Sequence, residues 1–214
     1  MKRSVVILLL LLLTYSAGAQ ESIVEKPEDA FATWTDVIVR KDFDNWHVGG
    51  LVEYCTIDNG SGLKHNEVVL RPIVGYNPLN WLRLQFQVDF LYSFFSGFYL
   101  RYLPDVSFHW KASDFRFSFR TRYQLSHHTQ SGKLSSAMRN RFKVEYMIPD
   151  APVSLHFAAE PYWWDRFIKT RYYLGADFKI NKHFSITADY IRYQHYDIPK
   201  PHQNVVYLIL YVRL

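Results

Sequence analysis

Residues 81–92 read WLRLQFQVDFLY, and their side chains alternate in polarity along the stretch. Apolar residues stand at even positions from Leu82 to Tyr92, and Arg83, Gln85, Gln87 and Asp89 stand between them. A period of two predicts an extended strand whose alternate side chains point to opposite faces. The apolar row of such a strand faces a core in a soluble β protein and faces lipid in an outer-membrane barrel. The direction of this row therefore decides the compartment.

The same alternation recurs in ten segments along the chain. They are residues 46–57, 65–76, 81–92, 98–110, 115–126, 138–148, 153–163, 170–180, 184–194 and 204–214. A mean strand of a soluble protein has about five or six residues, whereas a tilted membrane strand needs about 9 to 11. The length of these segments therefore favours a membrane barrel.

The connections between the segments alternate between short and long. Short turns are expected at residues 77–80, 111–114, 149–152 and 180–183, and longer polar links at 58–64, 127–137, 164–169 and 195–203. This pattern is typical of tight periplasmic turns and longer outer loops, although the link at 93–97 is short and aromatic. Counting back from a periplasmic C-terminus, the chain is expected to enter the barrel wall from the periplasm after residue 45.

The N-terminus has the features of a cleaved secretory signal. Lys2 and Arg3 precede an apolar run from Val5 to Leu13, and the small residues 17–19 (AGA) follow. The pattern predicts cleavage before residue 20, and an apolar run of nine residues is too short to cross a bilayer as a helix.

Charge and cysteine content exclude a nucleic-acid-binding protein and a fold stabilised by internal disulfides. Without residues 1–19 the chain keeps 23 basic and 20 acidic residues, a balance too even for a nucleic-acid-binding protein. Cys55 is the single cysteine, so no internal disulfide can form.

These observations predict an all-β fold: an antiparallel, up-and-down transmembrane β-barrel of about ten strands over residues 46–214. Residues 1–19 are the expected signal peptide, and residues 20–45 a short N-terminal periplasmic or lumenal arm. The segment 34–41 (WTDVIVRK) also looks extended. Its inclusion gives eleven strands or requires a further partner strand, so a twelve-strand barrel stays open as the alternative.

The polar rows are rich in charge, and in a membrane barrel they face the lumen. The predicted lumen charge network comprises Arg71, Arg116, Arg120, Arg122, Arg139, Arg141, Glu145, Glu160, Arg171 and Asp177. Turn positions give an approximate register that predicts one layer, Arg122–Arg141–Glu160–Arg171, across four strands. The register can slip by two residues but not by one, because a one-residue slip places the charges in lipid.

Two interpretations of this network remain open. A ten-stranded barrel is too narrow for a wide pore and must fill its lumen with side chains, which paired Arg and Glu can do. Alternatively, the excess of cations binds or passes a small anionic solute, because guanidinium groups recognise carboxylate and phosphate.

Catalytic and metal sites find little support in the sequence. Ser126, His127 and His128 lie at the expected outer rim, but neighbours on a strand point to opposite faces, so Ser126 and His127 cannot pair. The scattered histidines do not have the spacing of a zinc site. We therefore predict no catalytic residues, no metal and no cofactor.

Several motifs together resemble a known family. They are Trp34 and Trp46, Gly75-Tyr76, RNRFKVEY at 139–146, Glu160 on the next strand and RYYLGADF at 171–178. In this pattern the chain resembles the outer-membrane barrel group catalogued as domain of unknown function 2490. The resemblance implies an outer-membrane barrel and carries no established activity.

The leading functional hypothesis is a non-enzymatic integral barrel of the Gram-negative outer membrane, either structural or a narrow conduit or binding site for a small anionic solute. An outer-membrane lipid-modifying enzyme with a rim site is the first alternative. A soluble periplasmic barrel that binds an apolar ligand, with both faces inverted, is the second. The expected partners are outer-membrane lipid and, through the apolar C-terminal strand, the barrel assembly machinery; the chain is expected to be a monomer that binds no nucleic acid.

Overall fold

The protein forms a closed β-barrel of eleven strands in a computed structural model that describes residues 29–58, 60–164, 166–196 and 201–214. The predicted signal peptide, and residues 20–28 of the predicted arm, lie outside the described residues. The strands are β1 Ala30–Phe43, β2 Trp46–Asp58, β3 Lys64–Leu79, β4 Leu82–Ser93, β5 Gly97–Ala112, β6 Phe115–His128, β7 Leu134–Met147, β8 Val153–Trp163, β9 Phe167–Lys179, β10 Phe184–His195 and β11 Gln203–Arg213. The ten predicted strands agree with β2–β11 to within four residues at each end.

The barrel closes by an unexpected pairing. β1 pairs in parallel with β11, from Ala30 opposite Gln203 to Arg40 opposite Arg213, and every other neighbouring pair is antiparallel. The predicted count of ten strands, like the alternative of twelve, is therefore wrong. Both counts assumed antiparallel closure, which requires an even number, whereas parallel closure satisfies the same backbone groups with an odd number.

The first strand also corrects the prediction for the N-terminal arm. Residues 30–43 belong to the wall and are not a separate arm. We call the end with the tight turns the lower end and the end with the longer links the upper end. β1 runs from the upper end down to the turn at Asp44 and Asn45, so the chain enters the wall at the upper end and not from below after residue 45.

Side-chain directions answer the question posed by residues 81–92. In β4 the side chains of Phe86, Phe90 and Tyr92 lie on the outer surface, 43 to 49% exposed, whereas Gln87 and Asp89 are buried inside. The apolar row of the last strand points outward in the same way, at Val206 and Leu208. A soluble barrel that carries an apolar ligand needs the opposite arrangement, so the structure argues against the inverted alternative.

Aromatic side chains form a ring on the outer surface at each end of the barrel. The lower ring contains Trp46 against Tyr76, Trp81 against Phe108, Trp110 against Phe117 and Phe115 against Tyr146. The upper ring contains Tyr92 against Phe94 and Trp163 and Tyr196 against Phe167. Two aromatic rings flanking an apolar band are the pattern of a membrane barrel. None of the described residues belongs to a helix long and apolar enough to cross a membrane.

Candidate functional site

The lumen holds two cavities separated by a layer of side chains. The lower cavity has a volume of about 500 Å³ and the upper cavity about 670 Å³. Six side chains line both cavities and are called the central layer: Arg71, Arg120, Arg122, Arg141, Tyr173 and Tyr207.

Glu160 lies against this layer and is fully buried. Its carboxylate accepts hydrogen bonds from Arg120 Nη2 at 2.6 Å, from Arg139 Nη2 at 3.2 Å and from the Tyr173 hydroxyl at 2.9 Å. Arg171 is directly opposite Glu160 in the β8–β9 pairing, and its Nη1 lies 3.9 Å from Oε2. One carboxylate thus joins strands β6, β7, β8 and β9 through buried, charge-assisted hydrogen bonds.

The register of β6 and β7 differs by two residues from the predicted one. Arg122 stands opposite Arg139, and Arg120 stands opposite Arg141. This slip makes Arg120, rather than Arg122, the β6 partner of Glu160. The β7–β8 register is the predicted one, since Arg139 opposite Tyr162 and Phe142 opposite Ala159 keep Arg141 level with Glu160. The β7 side chain that bonds the carboxylate is nevertheless Arg139, two residues away. The slip arises because the β6–β7 link is shorter than predicted, with β7 already starting at Leu134, and the length of a hairpin link sets the register.

The two arginines of the predicted layer that do not bond Glu160, Arg122 and Arg141, have other neighbours. Arg122 donates from Nη2 to Asp105 at 2.6 Å, inside the wall between β5 and β6. Arg141 lies over the Tyr173 ring at 5.5 Å, and no carboxylate of the described residues is within 4.0 Å of it. Arg71, the remaining arginine of the central layer, is paired with Asp89.

In the upper cavity the acidic and most of the basic side chains come from different strands. Eight Arg or Lys side chains and three carboxylates line it. The carboxylates, here the acidic wall, come from β2, β3 and β4: Glu53, Glu67 and Asp89. The facing basic wall comes from β5, β7 and β9: Arg101, Arg139, Lys169 and Arg171.

Several charges of the upper cavity have no ion-pair partner. In the described part of the chain, no cation lies within 4.0 Å of Glu53 or Glu67, and no carboxylate lies within 4.0 Å of Arg101. The Nε of Arg101 is buried without a hydrogen-bond partner. Unpaired charge in a narrow lumen is costly unless a ligand or water compensates it, which makes the upper cavity the candidate binding site.

Aromatic side chains surround the basic wall. Arg171 lies 4.8 Å from the ring of Trp34 and 4.6 Å from that of Tyr193, and Lys169 lies 4.7 Å from the ring of Tyr162. Trp34 was predicted only as part of a family pattern and of the extended segment 34–41, and Tyr193 was not predicted as a site residue. The small or polar residues Ala30, Ala32 and Asp36 share one face of the strand with Trp34. This period of two is the signal that could have placed Trp34 in the lumen.

The lower cavity intermixes its charges. His156 contacts Asp177 at 3.0 Å through Nδ1 and Asp189 at 2.7 Å through Nε2, and Lys143 Nζ donates to Asp177 at 3.1 Å. Gly175 permits this packing, because a Cβ there would come within 1.8 Å of the Asp189 carboxylate. No group of three His, Cys, Asp or Glu side chains among the described residues is arranged to hold a metal ion.

The last two members of the predicted network lie at the lower rim. Arg116 donates from Nη2 to Glu145 Oε1 at 2.6 Å, and the Ser154 hydroxyl donates to the same oxygen at 2.5 Å. Arg116 is more than half exposed, so this pair is far less buried than the contacts of Glu160.

The rim residues considered for catalysis are separated by the structure. Ser126 faces the lumen and accepts a hydrogen bond from Gln124, away from His127. His128 contacts Ser131 Oγ and the Ser96 carbonyl, each at 2.5 Å. The backbone N–H groups of residues 131–133 are bonded to His128 or Ser131. We interpret His128 as a residue that stabilises the loop.

Comparison with solved structures shows a similar fold. A structure described as "NanC porin structure in rhombohedral crystal form" aligns with a TM-score of 0.55 and 16% identity, over 82% of this chain and 91% of that chain. At this identity the likeness concerns the fold alone. No curated protein sequence matches the chain.

A family model gives the classification. The model described as "Protein of unknown function (DUF2490)" matches residues 31–204, which include all of the barrel strands except Ala30 and the last nine residues of β11. The match begins inside β1, in agreement with the place of that strand in the wall. The chain belongs to the family of unknown function DUF2490.

Proposed function

We propose that this protein is an integral outer-membrane barrel whose lumen is a narrow conduit and binding site for small anionic solutes. The observation that carries the proposal is the charge of the upper cavity, where eight cationic side chains face three carboxylates. Guanidinium groups bind carboxylate and phosphate in bidentate geometry. Arg101 and Arg141, which have no carboxylate partner in the described chain, are free to do so.

The outer surface supports the membrane location. Apolar side chains cover the wall between two aromatic rings, and charged side chains are turned inward. An apolar band of this kind is more stable in contact with lipid than in contact with water. The similar solved structure is that of a protein called a porin, which accords with a conduit.

The central layer makes any conduit narrow. The two cavities meet at side chains from four arginines and two tyrosines, and two of these arginines, Arg71 and Arg122, are held by Asp89 and Asp105. Solutes have to pass beside Arg141 and Arg120, which favours small anions and repels cations.

The test of conduction is the current through the refolded full chain in a planar lipid bilayer. In a gradient of KCl we expect a small current whose reversal potential indicates preference for chloride over potassium. Arg101→Gln should reduce this preference, since it removes an unpaired cation from the upper cavity. Lys133→Gln, the same charge change in an exposed loop outside both cavities, is the matched control and should leave the preference unchanged. Preference for potassium, or no current from folded protein, would overturn the proposal.

The test of location is fractionation of cell envelopes, followed by gel mobility before and after boiling. We expect the protein in the outer-membrane fraction, with a mobility shift on heating that marks a closed barrel. Recovery in the soluble periplasm without a shift would overturn the membrane location.

A further inference from the structure

We propose that the upper cavity binds a dipolar ligand, a small molecule that carries both an ammonium and a carboxylate group. Glu53 and Glu67 would hold the ammonium, and the basic wall would hold the carboxylate. The inference rests on the proposed function, because it concerns the same cavity, and it names a class of ligand that a general preference for anions does not specify.

The acidic wall is a continuous patch across the first three strands. The register places Trp34 of β1 opposite Cys55 of β2, and Cys55 opposite Glu67 of β3. Glu53 lies two residues before Cys55, on the same inward face of β2. The two carboxylates therefore flank one point of the wall, and both line the upper cavity.

These carboxylates have no cationic partner in the described chain, although the Cys55 thiol donates to Glu53 Oε1 at 3.7 Å. Asp89, the third member of the acidic wall, is paired with Arg71, but Glu53 and Glu67 have no cation within 4.0 Å among the described residues. A carboxylate removed from bulk water without a partner is costly. Two such groups also repel a simple anion that enters the cavity, which weakens the binding of an anion without an ammonium group.

An ammonium group fits this patch better than a metal ion. The described residues contain no set of three His, Cys, Asp or Glu side chains arranged for a metal, whereas an ammonium needs only two acceptors and tolerates an aromatic neighbour. Trp34 supplies that neighbour, because a cation over an indole face is attracted by the ring. The acidic wall therefore has the composition of an ammonium site.

The carboxylate of the same ligand finds the basic wall close by. Arg171 of the basic wall lies 4.8 Å from the ring of Trp34. Trp34 therefore lies at the boundary between the basic wall and the acidic wall. Glu67, Arg101 and Arg171 line the same upper cavity. A short molecule with opposite charges at its two ends can thus span the boundary between the walls, whereas a pure anion or a pure cation meets repulsion from one of them.

The experiment measures binding of three probes of equal chain length to the full chain, refolded in detergent, by calorimetry. The probes are γ-aminobutyrate, butyrate and butylammonium. Trp34 alone of the six tryptophans lines either lumen cavity, so a change in its emission, absent from Trp34→Phe, assigns binding to the upper cavity. We expect γ-aminobutyrate to bind at least about tenfold more tightly than butyrate, since close opposite charges across an interface contribute about 1.5 kcal/mol or more.

A charge-removing variant and its control complete the test. In the double variant Glu53→Gln with Glu67→Gln, the advantage of γ-aminobutyrate over butyrate should disappear, with butyrate binding kept or strengthened. Asp114→Asn, at an exposed turn of the lower end, should keep the wild-type advantage.

The outcomes separate this inference from the proposed function. Equal binding of butyrate and γ-aminobutyrate by the wild type would overturn the dipolar ligand and leave the preference for anions standing. Tightest binding of butylammonium would overturn both. Absence of binding by all three probes would also overturn the dipolar site, while the bilayer current continues to decide the conduit separately.

Discussion

The two cavities of the lumen contain the same kinds of side chain but arrange them differently. In the lower cavity His156 and Lys143 stand directly against Asp177 and Asp189, so on β7–β10 cations and carboxylates are in direct contact. In the upper cavity the carboxylates lie on β2–β4 and seven of the eight cations on β5–β9. Paired charges stabilise the wall that holds them, whereas separated charges leave a field across the cavity that a ligand can use. This difference is the basis of our proposal that the upper half binds a solute and the lower half is structural.

The largest expected effect comes from Glu160, at the central layer between the two halves. Glu160→Gln removes the charge that compensates Arg120 and Arg139. Breaking a buried ion pair by removing one partner costs about 3–5 kcal/mol. We expect a fall of this size in the free energy of unfolding, measured by urea titration of the refolded barrel.

Asp114→Asn is the matched control for Glu160→Gln, because the Asp114 side chain is exposed. Loss of its charge should change the unfolding free energy by less than about 0.5 kcal/mol. If the two variants unfolded at the same urea concentration, the central layer would contribute no net stability, and the paired charges would not be structural.

A smaller effect is expected from the glycine that supports the lower cavity. In Gly175→Ala the new Cβ would stand 1.8 Å from the Asp189 carboxylate and 2.5 Å from the Ala188 carbonyl oxygen. Backbone must shift to accommodate it, and such overpacking costs about 1–3 kcal/mol. Unfolding in urea measures this cost.

Gly50→Ala is the matched control for Gly175→Ala, because the only nearby atom is the Arg71 carbonyl oxygen at 3.9 Å. It should be neutral or slightly stabilising, since alanine restricts the unfolded chain more than glycine does. Equal losses in both variants would mean that the cost reflects strand glycines in general and not the packing of Asp189.

The smallest effect on stability is expected in the upper cavity. Arg101→Gln breaks no ion pair in the described chain, so the unfolding free energy should change by less than about 1 kcal/mol. Lys143→Gln, which removes the partner of Asp177 in the lower cavity, should cost more. Urea titrations of the two variants side by side test this order, and a larger loss for Arg101→Gln would contradict the division into a structural and a binding half.

Strands β2–β11 were predictable because the side-chain alternation within each strand is enough to identify it. A period of two over ten or more residues predicts an extended strand, and the charges in the polar row favour the lumen for that face. The correct direction of Phe86 and Asp89 depends on nothing outside β4. Local pattern was sufficient wherever the strand pairs with its neighbour in sequence.

The first strand and the layer of arginines required information from further away. Residues 30–43 alternate like the other strands, but their parallel partner β11 lies at the opposite end of the chain, and no local signal names it. The pairing of Glu160 with Arg120 depends on the register at the β6–β7 link, where a slip of two residues keeps every charge inside the lumen. The polarity pattern is equally satisfied by both registers, so it could not choose between them.

The amino-acid sequence by itself determined long alternating strands, because side-chain alternation is a property of each strand taken alone, and it favoured a barrel with an apolar outside while the inverted barrel stayed open. Tertiary structure alone decided the number of strands, the closure between β1 and β11, and the separation of acidic and basic walls in the upper cavity. The physical reason is that these features depend on which strands face one another across the lumen. Glu67 of β3 and Arg171 of β9 line one cavity only because the sheet closes.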